Sequence, residues 1–308
     1  MVSSISASRK ALLVGIAFQL CLAFSASMVR ATEGPIVAVL GYTPNKAAAA
    51  VAAIVYFICG LAFFYRVFRI RNWWALCLPI GSTAMAFGFV IRVLLNNPSH
   101  QQHGPFIAEE ILTSCSPAAF LAFNYIVYGR LLRSFIGRRH SLLPPNYIAT
   151  FFVCSDVLTF FVQAAGAAMF TNISTLNTGK KVFQIGVILQ SASYYIFYIM
   201  LFMTWRSIRK EGIATGREMW WKAYKMVAIS SLFIVVRTIF RIIYSSTNKD
   251  SKVRTDEVFL YVFDTIPLFL AIVGYIFKWP GVYLTGDSIA DSNRTTLLGL
   301  EKLGTSSA

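Results

Sequence analysis

The sequence predicts an all-α polytopic membrane protein, a seven-transmembrane-helix bundle preceded by a signal peptide, and three observations lead there. The 308 residues are 56% hydrophobic and only 13% charged, too apolar for a water-soluble domain. Seven apolar runs follow residue 46, each near the length that crosses a bilayer. Their apolarity is almost continuous, without the strict alternation of a barrel strand. Lipid offers no water to pair backbone groups, so such runs must be helical.

Taken in order, Arg9 and Lys10 precede an apolar stretch from Ala11 to Ala26, and Val29-Arg30-Ala31 offers a cleavage site before Thr32. Residues 1–31 are read as a signal peptide, with an extra N-terminal span as the alternative; both readings leave 32–46 as a short external segment. The helices are expected at 47–65, 75–95, 108–130, 146–171, 182–204, 223–244 and 258–277, within one domain spanning 47–281. Residues 282–308 form a cytoplasmic tail, rich in Gly, Ser and Thr and largely disordered, with too little apolar surface to fold alone. All five cysteines lie in apolar segments, where a thiol behaves as a small hydrophobe, and no structural disulfide is expected.

Orientation follows from the positive-inside rule. Arg66, Arg69 and Arg71, then Arg130, Arg133, Arg138 and Arg139, then Arg206, Arg209, Lys210, Arg217, Lys222 and Lys225 mark three cytoplasmic loops. The intervening loops are poorer in basic residues or offset by acids, so the N-terminal side faces outward. The net charge of +15 is thus spread between apolar runs, which argues against a nucleic-acid partner. All six tryptophans fall on the cytoplasmic side, as expected of headgroup anchors.

Ionisable groups inside a span are costly and therefore candidate functional groups. Arg92, near the outer end of the second helix, is expected to face Glu109 and Glu110 at the start of the third. Arg237 and Arg241 lie four residues apart on one face of the sixth helix, and Asp264 is about two turns into the seventh. At 1.5 Å rise per residue, Arg237 and Asp264 share a depth of roughly 10 Å and should pair. Such groups can serve as structural ties or, for Arg92 and Arg241, as side chains snorkelling to the surface. Asp156 stands near the middle of the fourth helix with Gln163 seven residues on, on the same face. It is either an interhelical hydrogen-bonding carboxyl or a pathway acid. Pro267 removes a backbone bond to Phe263 and should bend the seventh helix beside Asp264.

Catalysis and cofactor binding are not expected. Gly179-Lys180 lacks the rest of a phosphate loop. His100 and His103 share an outer loop while His140 lies opposite, too few ligands for an intramembrane zinc. No serine, histidine and acid share one depth.

Several stretches together resemble the fungal RTA-like family, also called lipid-translocating exporters, over about residues 42–281. They are Tyr42-Thr43-Pro44; Pro117, Tyr125 and Gly129-Arg130; Ser155-Asp156 with Gln163-Ala164-Ala165-Gly166; Arg237 with Phe240-Arg241; and Glu257 with Tyr261-Val262-Phe263-Asp264 to Pro267. The chain departs from the family pattern at Met85, Glu109 and Tyr244, so its outer acidic site is expected to be rearranged. The resemblance implies movement or export of amphipathic lipids, such as sphingoid bases or sterol-like toxic amphiphiles, and resistance to membrane stress or drugs. It implies membrane lipids as partners and the plasma membrane, or an internal membrane such as the endoplasmic reticulum or vacuole. The alternative is a seven-helix receptor or stress sensor. Against it, the seventh helix has no mid-span lysine for a Schiff base, its lysine being Lys278 at the inner end. Protein partners and oligomeric state are left open.

Overall fold

Seven helices long and apolar enough to cross a membrane make up most of the computed structural model. It describes residues 45–95, 103–137, 141–169, 174–212, 218–247, 251 and 256–284; the expected signal peptide, most of the external segment and the tail beyond 284 lie outside these. The helices are α1 (Lys46–Ile70), α2 (Cys77–Leu94), α3 (His103–Leu131), α4 (Ile148–Ala168), α5 (Leu176–Lys210), α6 (Met219–Ser246) and α7 (Glu257–Phe277). A single-turn α8 (Pro280–Tyr283) follows, and no strand occurs among the described residues.

The helices extend beyond the apolar runs that predicted them. α5 spans 35 residues, adding Leu176–Lys181 and Trp205–Lys210 to the expected core. Backbone hydrogen bonding does not stop where lipid stops, so basic ends such as Arg206, Arg209 and Lys210 remain helical outside the hydrocarbon.

α3 is the hub of the bundle: 94% of its apolar stretch is buried, against 33% for α6. Outward-facing residues such as Phe57, Leu61, Leu158, Ile196 and Phe202 form a broad apolar exterior, which suits lipid and would be a liability in water. At the end where α2, α4 and α6 begin, rings fill the interior. Phe123 lies 4.9 Å from Tyr275 and 5.7 Å from Trp74, and Arg130 sits 4.5 Å above the Trp74 ring. Most of the tryptophans turn into the bundle and not toward the exterior. Trp74, Trp220, Trp221 and Trp279 are buried against the rings of Phe123, Phe135 and Tyr224, while Trp73 is exposed.

Candidate functional site

At the opposite end, charges replace rings. Arg92 closes α2 and is only 5% exposed. Its Nη1 donates to Glu109 Oε1 at 2.9 Å and its Nε to Glu257 Oε1 at 3.1 Å. Glu257, the first residue of α7, also accepts from Tyr261 Oη at 3.2 Å and from the Asn45 backbone N–H at 2.6 Å. Asn45 in turn caps α1, its side chain accepting from Ala47 N at 3.0 Å. One carboxylate therefore ties the starts of α1 and α7 to the end of α2.

A second group lies between α3, α6 and α7. Arg237 and Asp264 meet, Nε to Oδ1 at 3.0 Å, as their common depth predicted. Arg241 joins the same oxygen at 3.3 Å, and donates through Nη2 to Ser114 Oγ at 2.9 Å and through Nη1 to Glu110 Oε1 at 3.5 Å. Glu109 thus pairs with Arg92 and Glu110 with Arg241, as adjacent helical residues point about 100° apart. Neither Arg92 nor Arg241 snorkels outward; each finds carboxylates from other helices first.

Asp264 sits in a π-helical stretch, Tyr261–Thr265, immediately before Pro267. The structure answers the proline with this wider turn, so Pro267 stands in the opening turn of the following α-helical segment, where a missing N–H is tolerated. The Thr265 carbonyl accepts from the buried Tyr56 hydroxyl of α1 at 2.8 Å. A carbonyl left over by the irregular turn is thereby satisfied within the protein.

Arg237 and Arg241 also line an internal cavity of about 30 Å³, together with Gln163, Gln190, Ser191 and Tyr194. That is room for about two water molecules. Gln163 Nε2 donates to Gln190 Oε1 at 2.9 Å, joining α4 to α5. The two helices approach closely because Gly186 faces this point: a Cβ there would lie 2.6 Å from Gln163 Cγ. Arg237 is 8% exposed, yet its Nε and Nη2, like Asp264 Oδ1, lack a hydrogen bond of ordinary geometry. The 3.0 Å approach is Coulombic contact without alignment.

Asp156 is separate from both charged groups. It is 3% exposed, and neither carboxyl oxygen has a hydrogen bond of ordinary geometry. Its polar neighbour is the Tyr125 hydroxyl, held in a cage of Phe152 and Phe197 rings. Asp156 does not line the cavity that Gln163 lines, so their shared face does not make one site.

The nine charged or polar residues expected from sequence therefore fall into three places. Arg92, Glu109 and Glu257 form a tie; Arg237, Arg241, Asp264 and Glu110 form a cluster whose arginines reach the Gln163 cavity; Asp156 stands alone with Tyr125. Sequence reasoning missed Gln190 and a second polar junction, where Asn124 donates to Ser230 Oγ at 3.1 Å and accepts from Tyr275 Oη at 2.7 Å. Both are amides within apolar runs. The cost of an amide in lipid could have drawn attention to them as surely as a charge did.

Comparison with known proteins bears on what such a bundle does. Over 216 residues the chain is 25% identical to Protein RTM1 of Saccharomyces cerevisiae, covering 69% of this chain and 70% of that one. It is 26% identical over 266 residues to the probable lipid transporter atnI of Emericella nidulans, covering 80% and 68%. A 27% identical match over 152 residues reaches the sphingoid long-chain base transporter RSB1 of Saccharomyces cerevisiae, covering 46% of this chain and 39% of that protein. Among these relatives the match thus spans between 39% and 70% of their length. No solved structure matches. The family model described as RTA1 like protein matches residues 77–287, from the start of α2 to beyond α8. The chain is a multi-pass membrane protein that belongs to the RTA1-like family.

Proposed function

We propose that this protein moves or exports amphipathic lipids, or toxic amphiphiles of similar build, and so protects the cell against membrane stress, without catalysing a covalent reaction. The observation that carries this reading is a pair of ionic groups, seven charged side chains buried or half-buried at one end of a bundle whose exterior is apolar. Buried ion pairs are weak stabilisers, and apolar packing would hold helices together as well. Their use is polar recognition inside lipid, where a headgroup meets matching charges while its chain stays among apolar side chains. Relatives named as a lipid transporter and a sphingoid base transporter support the same substrate class. In this reading the charged end faces outward and the tail is cytoplasmic, at the plasma membrane.

The test is reconstitution of the full-length protein in liposomes with a fluorescent sphingoid base, following its movement between leaflets. Movement faster than in protein-free liposomes supports the reading; equal rates for this and other amphiphiles overturn it. In sealed right-side-out vesicles, cleavage of an epitope at 98–105 by external protease, with a tag at 308 protected, checks the orientation.

A further inference from the structure

We propose that the cavity between α3, α4, α5 and α6 holds the oxyanion end, phosphate or carboxylate, of an amphiphile whose chain lies in lipid along α5 and α6. This rests on the lipid-movement reading and names the headgroup. The charged residues in the cavity wall are both arginines. The neighbouring acids belong elsewhere: Asp264 faces Arg237 and Arg241, Glu110 faces Arg241, and neither lines the cavity. An amine entering here meets guanidinium groups; an oxyanion meets donors.

Those donors are on hand. With Arg237 Nε turned to Asp264, Arg237 Nη2 remains buried without a hydrogen bond, a state that a ligand oxygen relieves. A planar guanidinium fork suits two oxygens of one phosphate or carboxylate. Because Gln163 Nε2 donates to Gln190 Oε1, the Gln190 amide N–H₂ is not used in that bond. The volume of about 30 Å³ takes the two leading oxygens of a phosphate or carboxylate and no acyl chain. Gln190 and Thr238, which line the cavity, are half-buried beside the exposed Leu189 and Ile239. The polar wall thus reaches the lipid-facing side between α5 and α6, an entry for an amphiphile.

The experiment measures binding of radiolabelled sphingoid base, its 1-phosphate and inorganic phosphate to the full-length protein in nanodiscs, with liposome movement assays of the two lipids. The phosphorylated lipid is expected to bind at least about tenfold more tightly than the amine, and Arg237→Gln to remove about tenfold or more of that affinity. Arg237→Lys should recover only part of it, since charge returns without the fork. Gln190→Leu, which touches no ion pair and removes the amide N–H₂ left over by the Gln163 bond, should weaken the phosphate form about threefold to tenfold and leave the amine unchanged, a readout that survives if Arg237→Gln fails to fold. Preference for the amine, with movement intact, overturns the oxyanion site and leaves lipid movement standing. Inorganic phosphate competing as well as the lipid phosphate overturns a lipid headgroup as the occupant. No binding and no movement of either lipid overturns both readings.

Discussion

The two ends of the bundle solve the same problem, joining helices in lipid, with opposite chemistry. At the tryptophan end, Phe123 meets Trp74, Tyr275 and Trp279 through ring contacts, and Arg130 rests on the Trp74 face. At the charged end, α1, α2, α3, α6 and α7 meet through Glu257, Glu109, Glu110 and Asp264 against three arginines. Ring packing gains from every close contact and leaves little room. The hydrogen bonds within ion pairs are directional, so an unaligned pair leaves donors unmet, as at Arg237 beside the cavity. Under the proposed function, one end supplies rigidity and the other recognition.

That assignment can be broken at the charged end first. Asp264→Leu removes the carboxylate shared by Arg237 and Arg241, leaving uncompensated buried charge at a cost of about 3–5 kcal/mol. Loss of monodisperse protein in detergent checks it. Exchanging the charges, Arg237→Asp with Asp264→Arg, is expected not to restore folding, because the introduced guanidinium would face Arg241, 3.3 Å from the original carboxylate. Full rescue by the exchange would show that Arg241 is not part of the pair. At the other end, Phe123→Ala opens a cavity among the three rings of Trp74, Tyr275 and Trp279 and should cost about 3 kcal/mol in thermal or denaturant unfolding, while leaving headgroup selectivity untouched. A change in selectivity would join the two ends functionally.

Smaller effects sharpen the comparison. Arg92→Lys keeps the charge but cannot hold Glu109 and Glu257 with the same fork, so stability should fall by about 1 kcal/mol with movement largely retained. Asp156→Asn keeps size and hydrogen-bonding capacity, and its effect on unfolding should stay within about 1 kcal/mol. If Asp156 exchanges protons as cargo passes, the same variant loses movement per inserted molecule by at least about tenfold. Normal movement by Asp156→Asn would return this carboxyl to a structural role beside Tyr125.

The sequence by itself determined seven spanning helices, because in lipid the backbone must pair within each segment and apolar length becomes fold. It also marked the costly residues, and equal depth on consecutive helices was enough to join Arg237 with Asp264. Depth, however, fixes only one coordinate. Which carboxylate each arginine takes depends on helix rotation and neighbour choice, so Glu110 going to Arg241 and Glu257 reaching both Arg92 and the start of α1 were settled only by packing. Rotation likewise turned four tryptophans inward and divided Gln163 from Asp156, two residues that share a face but meet different partners. The cavity belongs wholly to the tertiary structure: its wall draws on four helices, and no single helix's pattern records where three others leave a gap.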